Sequence, residues 1–476
     1  MKSKRKNLVF FLLLAVVYFA IKSCLFRYPL HNDEFNHMEG VSKIVEENFF
    51  PFTEWWSYHP PFVYELVALF NSVLSKENWI LGARLITAVF GFLVLVLTFL
   101  LAKRLFNENT ARIAVIILFF LPIFQAQTSL FHLAIPLTFF FLLTYYFYLK
   151  ERWFWYLVSG IALVLTKEIG TVIILAISFF DFISNVKNPW KAARRMALLN
   201  LPQIFFLIWL FLNKKYLGWY LWPYNVEFLT KEKSAPTLGI SYSLLVTNFI
   251  SVGKWILTLI ALVGLVCSFW SKKFKRTSFP RGEILFGLFI FLFFPLFFGQ
   301  IAYLPRYTLF TFVLVLIVVA SFIDKLMEIS LFRGVLGLLA IILVLLLNWF
   351  HNSDRVVDWA GERNYGYLNI VDFNREVVDY VNTNYRDQSL IAHYPLDVAF
   401  SNPLAGYVDS ETCRDVEVFD LSNLTNFQGV IVVPNIFLSP QIWIEINQME
   451  NLELLKIIKN RGFEARVLRV RQDVYN

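Results

Sequence analysis

The run WFWYLVSGIALVLTKEIGTVIILAISFFDFIS, from Trp153 to Ser184, decides how the chain is threaded. Read as one helix, it crosses a membrane once. Read as two short spans near 153–166 and 168–184, separated by Thr166, Lys167 and Glu168, it crosses twice and reverses the side of everything downstream. Charge decides between the two. Apolar runs of spanning length elsewhere lie near 8–26, 79–102, 111–130, 132–149, 196–212, 250–270, 284–302, 306–323 and 334–350, which with the pair makes eleven. If Lys2, Lys4, Arg5 and Lys6 are cytoplasmic, eleven spans put five further basic clusters on that same side. These are Lys103/Arg104, Lys150/Arg152, Lys187/Lys191/Arg194/Arg195, Lys272/Lys273/Lys275/Arg276/Arg281 and Lys325/Arg333. Every basic cluster then obeys the positive-inside rule, so the stretch is read as two spans.

Composition agrees with a polytopic membrane protein: 58% of residues are hydrophobic and 18% aromatic, beyond what a soluble chain carries. The formal charge is +8, but the tail from residue 351 is acidic, so the basic excess belongs to the membrane loops and implies no nucleic acid. Cys24 and Cys267 fall in apolar runs and only Cys413 in the hydrophilic tail, which excludes a disulfide framework or a cysteine metal site. MKSKRK followed by Leu8 to Phe26 lacks a small-residue cleavage site and is expected to stay as the first span.

The same count places 27–78, Lys167-Glu168, 213–249, Tyr303 to Pro305 and the tail outside. In the first external loop, Asn32 or Asp33 can cap a helix with an apolar stripe of Phe35, Met38, Val41, Ile44 and Val45. Pro60-Pro61 open a second helix with Phe62, Leu66, Leu69, Phe70 and Val73 on one face. Both are expected to lie in the membrane interface, with Trp55 and Trp56 as headgroup-level anchors. Loop 213–249, with Lys214, Lys215, Trp219, Tyr220, Trp222 and Tyr224, is a second candidate cover over the surface that these helices form. In the tail, helices at 370–384 and 439–449 and strands at 389–392, 416–419, 429–433 and 464–470 point to a small external α/β domain over 351–476.

Charges at the depth where a span meets water are costly and read as functional. Asp33 and Glu34 could serve as a general base and its helper, or simply as dipole-favoured acids in a first helical turn. Lys167, Arg306 and Arg84 all fall at the external ends of spans, where they suit a lipid phosphate or else snorkel to headgroups. His59 before two prolines is a structural or headgroup contact before it is a base. His132 with Gln125 and Gln127 reads as an interhelical hydrogen-bonding cluster, since no grouping has metal-ligand spacing.

Taken in order, five motifs resemble the GT-C superfamily of integral-membrane glycosyltransferases, especially relatives of protein O-mannosyltransferases and aminoarabinose transferases. They are His31-Asn32-Asp33-Glu34, His59-Pro60-Pro61, Ala83-Arg84-Leu85, Thr166-Lys167-Glu168 and Pro305-Arg306-Tyr307, and they cover residues 1 to 350. The resemblance implies a transferase using a polyprenyl-phosphate sugar, with Asp33 as base, Glu34 supporting it, and Arg84, Lys167 and Arg306 as phosphate ligands. His59, Glu168 and Tyr307 become supporting substrate-binding residues. Relatives often carry an acid two residues before the proline of the fourth span; here Pro136 is preceded by Ala134. The expected partners are the lipid-linked donor, a glycan, glycolipid or protein acceptor hydroxyl, and membrane lipids. No divalent metal is required by an inverting attack with a pre-neutralised phosphate as leaving group. A flippase for a lipid-linked saccharide would instead spread charges through the midplane and show an internal repeat, which this sequence does not. A catalytically inactive scaffold is the remaining alternative.

Overall fold

The computed structural model describes residues 2–47, 49, 59–223, 250–270, 305–350, 362–421, 424 and 427–471. Trp55, Trp56, most of the 213–249 loop and the 284–302 run lie outside the described residues.

The run from Trp153 to Ser184 forms two helices, α8 (Trp153–Val164) and α9 (Ile169–Ser184). Their outer ends meet on one residue. The Arg195 guanidinium holds Asp181, near the end of α9, at 2.9 Å and lies over the Trp153 ring, at the start of α8, at 5.1 Å. The pair is therefore a hairpin with Thr166, Lys167 and Glu168 at the opposite end, as charge requires. Arg195 belongs to α10 (Pro189–Leu199), which bends by 46° into α11 (Pro202–Leu217). One straight span over 196–212 is thus corrected to a bent pair. Pro202 has no N–H to continue the ladder across the junction, and its ring sits against Gly160 of α8, where a Cβ would meet it at 2.7 Å.

Three helices are individually long and apolar enough to cross a membrane among the described residues: Arg5–Ser23, Lys76–Leu105 and Arg306–Ile329. The α10/α11 pair would be a fourth, and shorter apolar helices fill in around them. The first of the three lies within α1 (Lys2–Ser23), the second contains α4 (Trp79–Leu105), and the Leu309–Ile329 helix runs through the middle of the bundle with most of its surface buried. The expected 111–130 span breaks into α5 (Glu108–Phe120) and α6 (Pro122–Gln127). Leu121 is extended (φ −66°, ψ 120°), as the residue before a proline prefers. α7 (Ala134–Leu149) follows.

The loop after the first span forms α2 (Asp33–Glu46) and α3 (Phe62–Asn71). Only α3 keeps an apolar outer face, with Leu66, Leu69, Phe70 and Val73 exposed. α2 does not lie in the interface: Phe35, Met38, Val41 and Ile44 are buried in a cluster that also contains Tyr367, Phe373, Phe400 and Val432 of the tail. Its stripe finds protein where lipid was expected.

The tail folds as a five-stranded mixed sheet in the order β2-β1-β3-β5-β4. β1 (Ser389–Ala392) pairs in parallel with β2 (Val416–Val418) and β3 (Gly429–Pro434), while β5 (Phe463–Val470) runs antiparallel to β3 and β4 (Leu452–Asn460). β3 is buried along its whole length because both faces are covered. Val430 and Val432 meet the Tyr367–Asn384 helix and the first loop; Ile431 and Val433 meet the side of the Pro440–Gln448 helix. β4 was not anticipated. It is an edge strand with most side chains exposed, so LELLKIIKN carries little burial signal. The domain is clamped onto the loop at Leu30: its N–H donates to Ala405 O at 2.9 Å, and its carbonyl accepts from the Tyr407 hydroxyl at 2.9 Å. Between them Gly406 adopts φ +81°, where a Cβ would press on Pro29 Cα at 3.3 Å.

Candidate active site

Asp33 and Glu34 are adjacent on α2 and point to different places, as neighbours about 100° apart on a helix must. Asn32 does not cap them; its side-chain polar atoms are buried without partners. Glu34 turns inward and is fully buried. Its Oε1 accepts from Arg84 Nε at 3.0 Å and Phe131 N at 2.6 Å, and its Oε2 from Arg84 Nη2 at 2.6 Å and His31 N at 2.9 Å. Arg84 spends its other donors on Leu25 O, Tyr28 O and Pro29 O, at 2.7, 2.7 and 3.0 Å. All five guanidinium N–H groups are then taken. Arg84 therefore braces the loop in this arrangement and has no donor left for a phosphate. Glu34 is equally saturated, with two donors on each carboxylate oxygen.

Asp33 faces the other way and ion-pairs with Arg306, which sits in the 3-10 turn Pro305–Thr308 heading the Leu309–Ile329 helix. Asp33 is half-exposed while Arg306 is buried. Burial alone would raise the Asp33 carboxyl, but the Arg306 guanidinium holds it below the ordinary carboxylate value. Asp33 is thus ionised and open to one side.

Tyr307 carries the cluster onward. Its ring receives the Lys167 ammonium at 4.0 Å and the Arg306 guanidinium at 5.5 Å. Lys167 is buried at the α8–α9 turn, with no carboxylate in ion-pair reach among the described residues. Next to it Glu168 takes His59 Nδ1 at 2.9 Å, and Phe62 N–H donates to Leu165 O at 3.1 Å, so side chain and backbone both tie the His-Pro-Pro motif to the hairpin turn. Asp33, His59, Lys167, Glu168, Arg306 and Tyr307 are brought together; Glu34 and Arg84 form a separate pair beneath them.

Sequence reasoning missed His37 and Glu362. His37 is one turn beyond Asp33 on the same face of α2, a spacing that was there to be read. Its Nδ1 lies 2.7 Å from Tyr64 Oη, and its ring is 6.3 Å from His59 and 5.7 Å from His132. Burial pushes His37 down to about 3, reinforced by His59, Arg306 and Lys167 against the pull of Asp33; burial does the same to His31. Both rings are neutral at physiological pH. Glu362, from the segment after the last described span, meets Arg306 on the side away from Asp33. Nothing local in the sequence around residue 362 marks it. His132 does join Gln127, whose Oε1 is 3.1 Å from its Nδ1, while Gln125 accepts from the Lys22 ammonium at 2.7 Å.

Comparison with known proteins accounts for this arrangement at the level of fold. The family model described as dolichyl-phosphate-mannose-protein mannosyltransferase matches residues 58–212, less than half of the chain. No curated protein matches by sequence. Among solved structures, the crystal structure of ArnT from Cupriavidus metallidurans in the apo state is similar with a TM-score of 0.59 at 12% identity, over 98% of each chain. The same protein bound to undecaprenyl phosphate gives 0.58 at 12%, over 97% of this chain and 98% of that one. The Archaeoglobus fulgidus oligosaccharyltransferase in complex with Zn and sulfate gives 0.51 at 15%, over 84% of this chain and 62% of that one. The chain has the GT-C fold, and the resemblance to GT-C membrane glycosyltransferases read from its motifs is borne out.

Proposed function

We propose that this protein is a multi-pass membrane glycosyltransferase that moves a sugar from a polyprenyl-phosphate donor to an acceptor hydroxyl. The observation that carries the reading is an ionised, half-open carboxylate, Asp33, set against the buried cations Arg306 and Lys167 where spans end. The GT-C fold and its likeness to a protein solved with undecaprenyl phosphate support the same donor class.

The acceptor hydroxyl attacks the anomeric carbon and its proton passes to Asp33. The bond from that carbon to the phosphate oxygen breaks, and the electron pair leaves with the polyprenyl phosphate. Attack opposite the leaving group inverts the anomeric centre. Arg306 and Lys167 neutralise the phosphate as it departs, in a buried setting where such charges act strongly. The guanidinium offers a fork for two oxygens and the ammonium a point charge. Tyr307 positions both cations, and Glu168 with His59 fixes the turn bearing Lys167. These cations supply the charge compensation themselves, so the reaction is proposed to need no metal; loss of transfer on chelation, restored by a divalent ion, would contradict that.

The site is proposed to face the cell exterior or an equivalent lumen, with the N-terminus cytoplasmic and eleven spans. Reporter fusions after Asn188 and Asn352 should report inside and outside respectively; a cytoplasmic signal at Asn352 would overturn the arrangement. The function itself is tested by mass spectrometry of cell-envelope glycans with and without the protein. A sugar present only when the protein is made identifies donor and product; unchanged glycans would contradict the proposal.

A further inference from the structure

Glu362 plays no part in the reaction as set out above, yet its backbone is held in place. Gln127 Nε2 donates to the Glu362 carbonyl at 3.1 Å, which turns Gln127 Oε1 toward His132 Nδ1, also at 3.1 Å. Since Oε1 can only accept, His132 Nδ1 carries the proton and Nε2 of the neutral ring is left with a lone pair. That lone pair faces Glu362 Oε1 at 3.6 Å, and His31 Nδ1 lies 3.7 Å from the same oxygen. None of Glu362 Oε1, His132 Nε2 or either ring nitrogen of His31 has a hydrogen-bond partner. All three side chains are more than nine-tenths buried.

Two acceptors turned toward each other without a proton between them are costly, because each has given up water and gained no donor in exchange. What completes them is a group that donates more than once and can accept from the His31 ring. An ammonium is disfavoured by Arg306 already on Glu362. Neighbouring hydroxyls supply the required donors and acceptors. The position is set by Arg306, which spans Asp33 and Glu362 with one terminal nitrogen on each. On the reading that Arg306 holds the donor phosphate, the groups beside it face the sugar one bond away.

We propose that Glu362, His132 and His31 form the subsite that binds hydroxyls of the transferred sugar, so that the tail completes the donor site from outside the membrane bundle. This rests on the proposed function and deepens it. Glu362 binds the sugar directly here, and Asp33 keeps the proton transfer.

The test measures binding in nanodiscs to undecaprenyl phosphate alone and to undecaprenyl phosphate carrying glucose, galactose or mannose. Wild-type protein should bind at least one of the sugar-bearing lipids more tightly than the bare lipid. E362Q should reduce that advantage roughly ten- to hundred-fold, the worth of a hydrogen bond to a charged group, while leaving affinity for the bare lipid unreduced. E362D keeps the charge against Arg306 but withdraws the carboxylate by one methylene, so it should also lose the sugar advantage in a protein of wild-type thermal stability. A sugar preference that survives both substitutions, or a wild-type protein with no preference, would overturn the subsite while leaving the phosphate site standing; in that case a water molecule fills the gap. Wild-type protein that binds no form of the lipid would overturn the donor reading and the subsite with it.

Discussion

Asp33–Arg306 and Glu34–Arg84 are made of the same chemistry by neighbouring acids on one helix, yet they differ in how much of it is used up. In the Glu34–Arg84 pair every guanidinium proton has a named partner and both side chains are almost fully buried. In the other, Asp33 stands half-exposed, Lys167 nearby lacks a carboxylate among the described residues, and Glu362 and two histidines keep unpartnered atoms. A saturated ion pair has nothing left to offer a ligand, whereas an unsaturated one does. The same contrast holds across the bundle: Asp181 at the far end is taken up by Arg195 and by Tyr148 Oη at 2.8 Å.

If that distinction is sound, the two pairs should fail differently. Breaking the saturated pair should cause the largest loss of stability. Glu34→Gln or Arg84→Ala strands a buried charge, which costs about 3–5 kcal/mol. Thermal unfolding in detergent should show a large drop, with donor binding per folded molecule unaffected; a stable Arg84→Ala protein that had lost only donor affinity would restore Arg84 to the phosphate site.

Arg306 should behave the opposite way. Arg306→Lys keeps the charge but not the fork, so donor affinity should fall, and Arg306→Ala should lower it further, with roughly 2–5 kcal/mol at stake. Both are measured as the donor-concentration dependence of transfer in nanodiscs. Unchanged apparent affinity in both variants would mean the phosphate lies elsewhere.

A smaller effect comes from pH. Folded His31 and His37 protonate only near 3, whereas unfolded imidazole does so near 6.5. The unfolded chain therefore takes up protons first, so stability is full above about pH 6.5 and is lost as the pH falls toward 3. Asp33, depressed below its ordinary 3.8, adds a loss only at the acid end of that window. His37→Gln should flatten the fall of melting temperature between pH 6.5 and 4; an unchanged slope would mean that His37 is not a source of the acid sensitivity.

Much of this site was legible because membranes make position informative. Lys167, Arg306 and Asp33 stand out at the ends of apolar runs, and the hairpin at Thr166 to Glu168 followed from charge alone. The partition between Asp33 and Glu34 was not legible, because helical periodicity separates neighbours without saying which one meets the protein interior. Arg84 misled for the same reason: a cation at a span end looks alike whether it faces lipid, ligand or a buried carboxylate. Glu362 was hidden by sequence distance, since its contacts are with Arg306, His31 and His132, and the tail was read as a separate unit. The burial of α2 under the tail shares that cause.

The most direct test of the central claim is complementation of a strain lacking the protein with Asp33→Asn, produced at wild-type level and with wild-type thermal stability. The amide keeps the shape of the side chain but cannot take the proton, and loss of a general base commonly costs about 10²–10⁴ in rate. The envelope sugar restored by the wild-type protein should remain missing, although the variant still binds the polyprenyl-phosphate donor. Restoration of that sugar by Asp33→Asn would contradict the account.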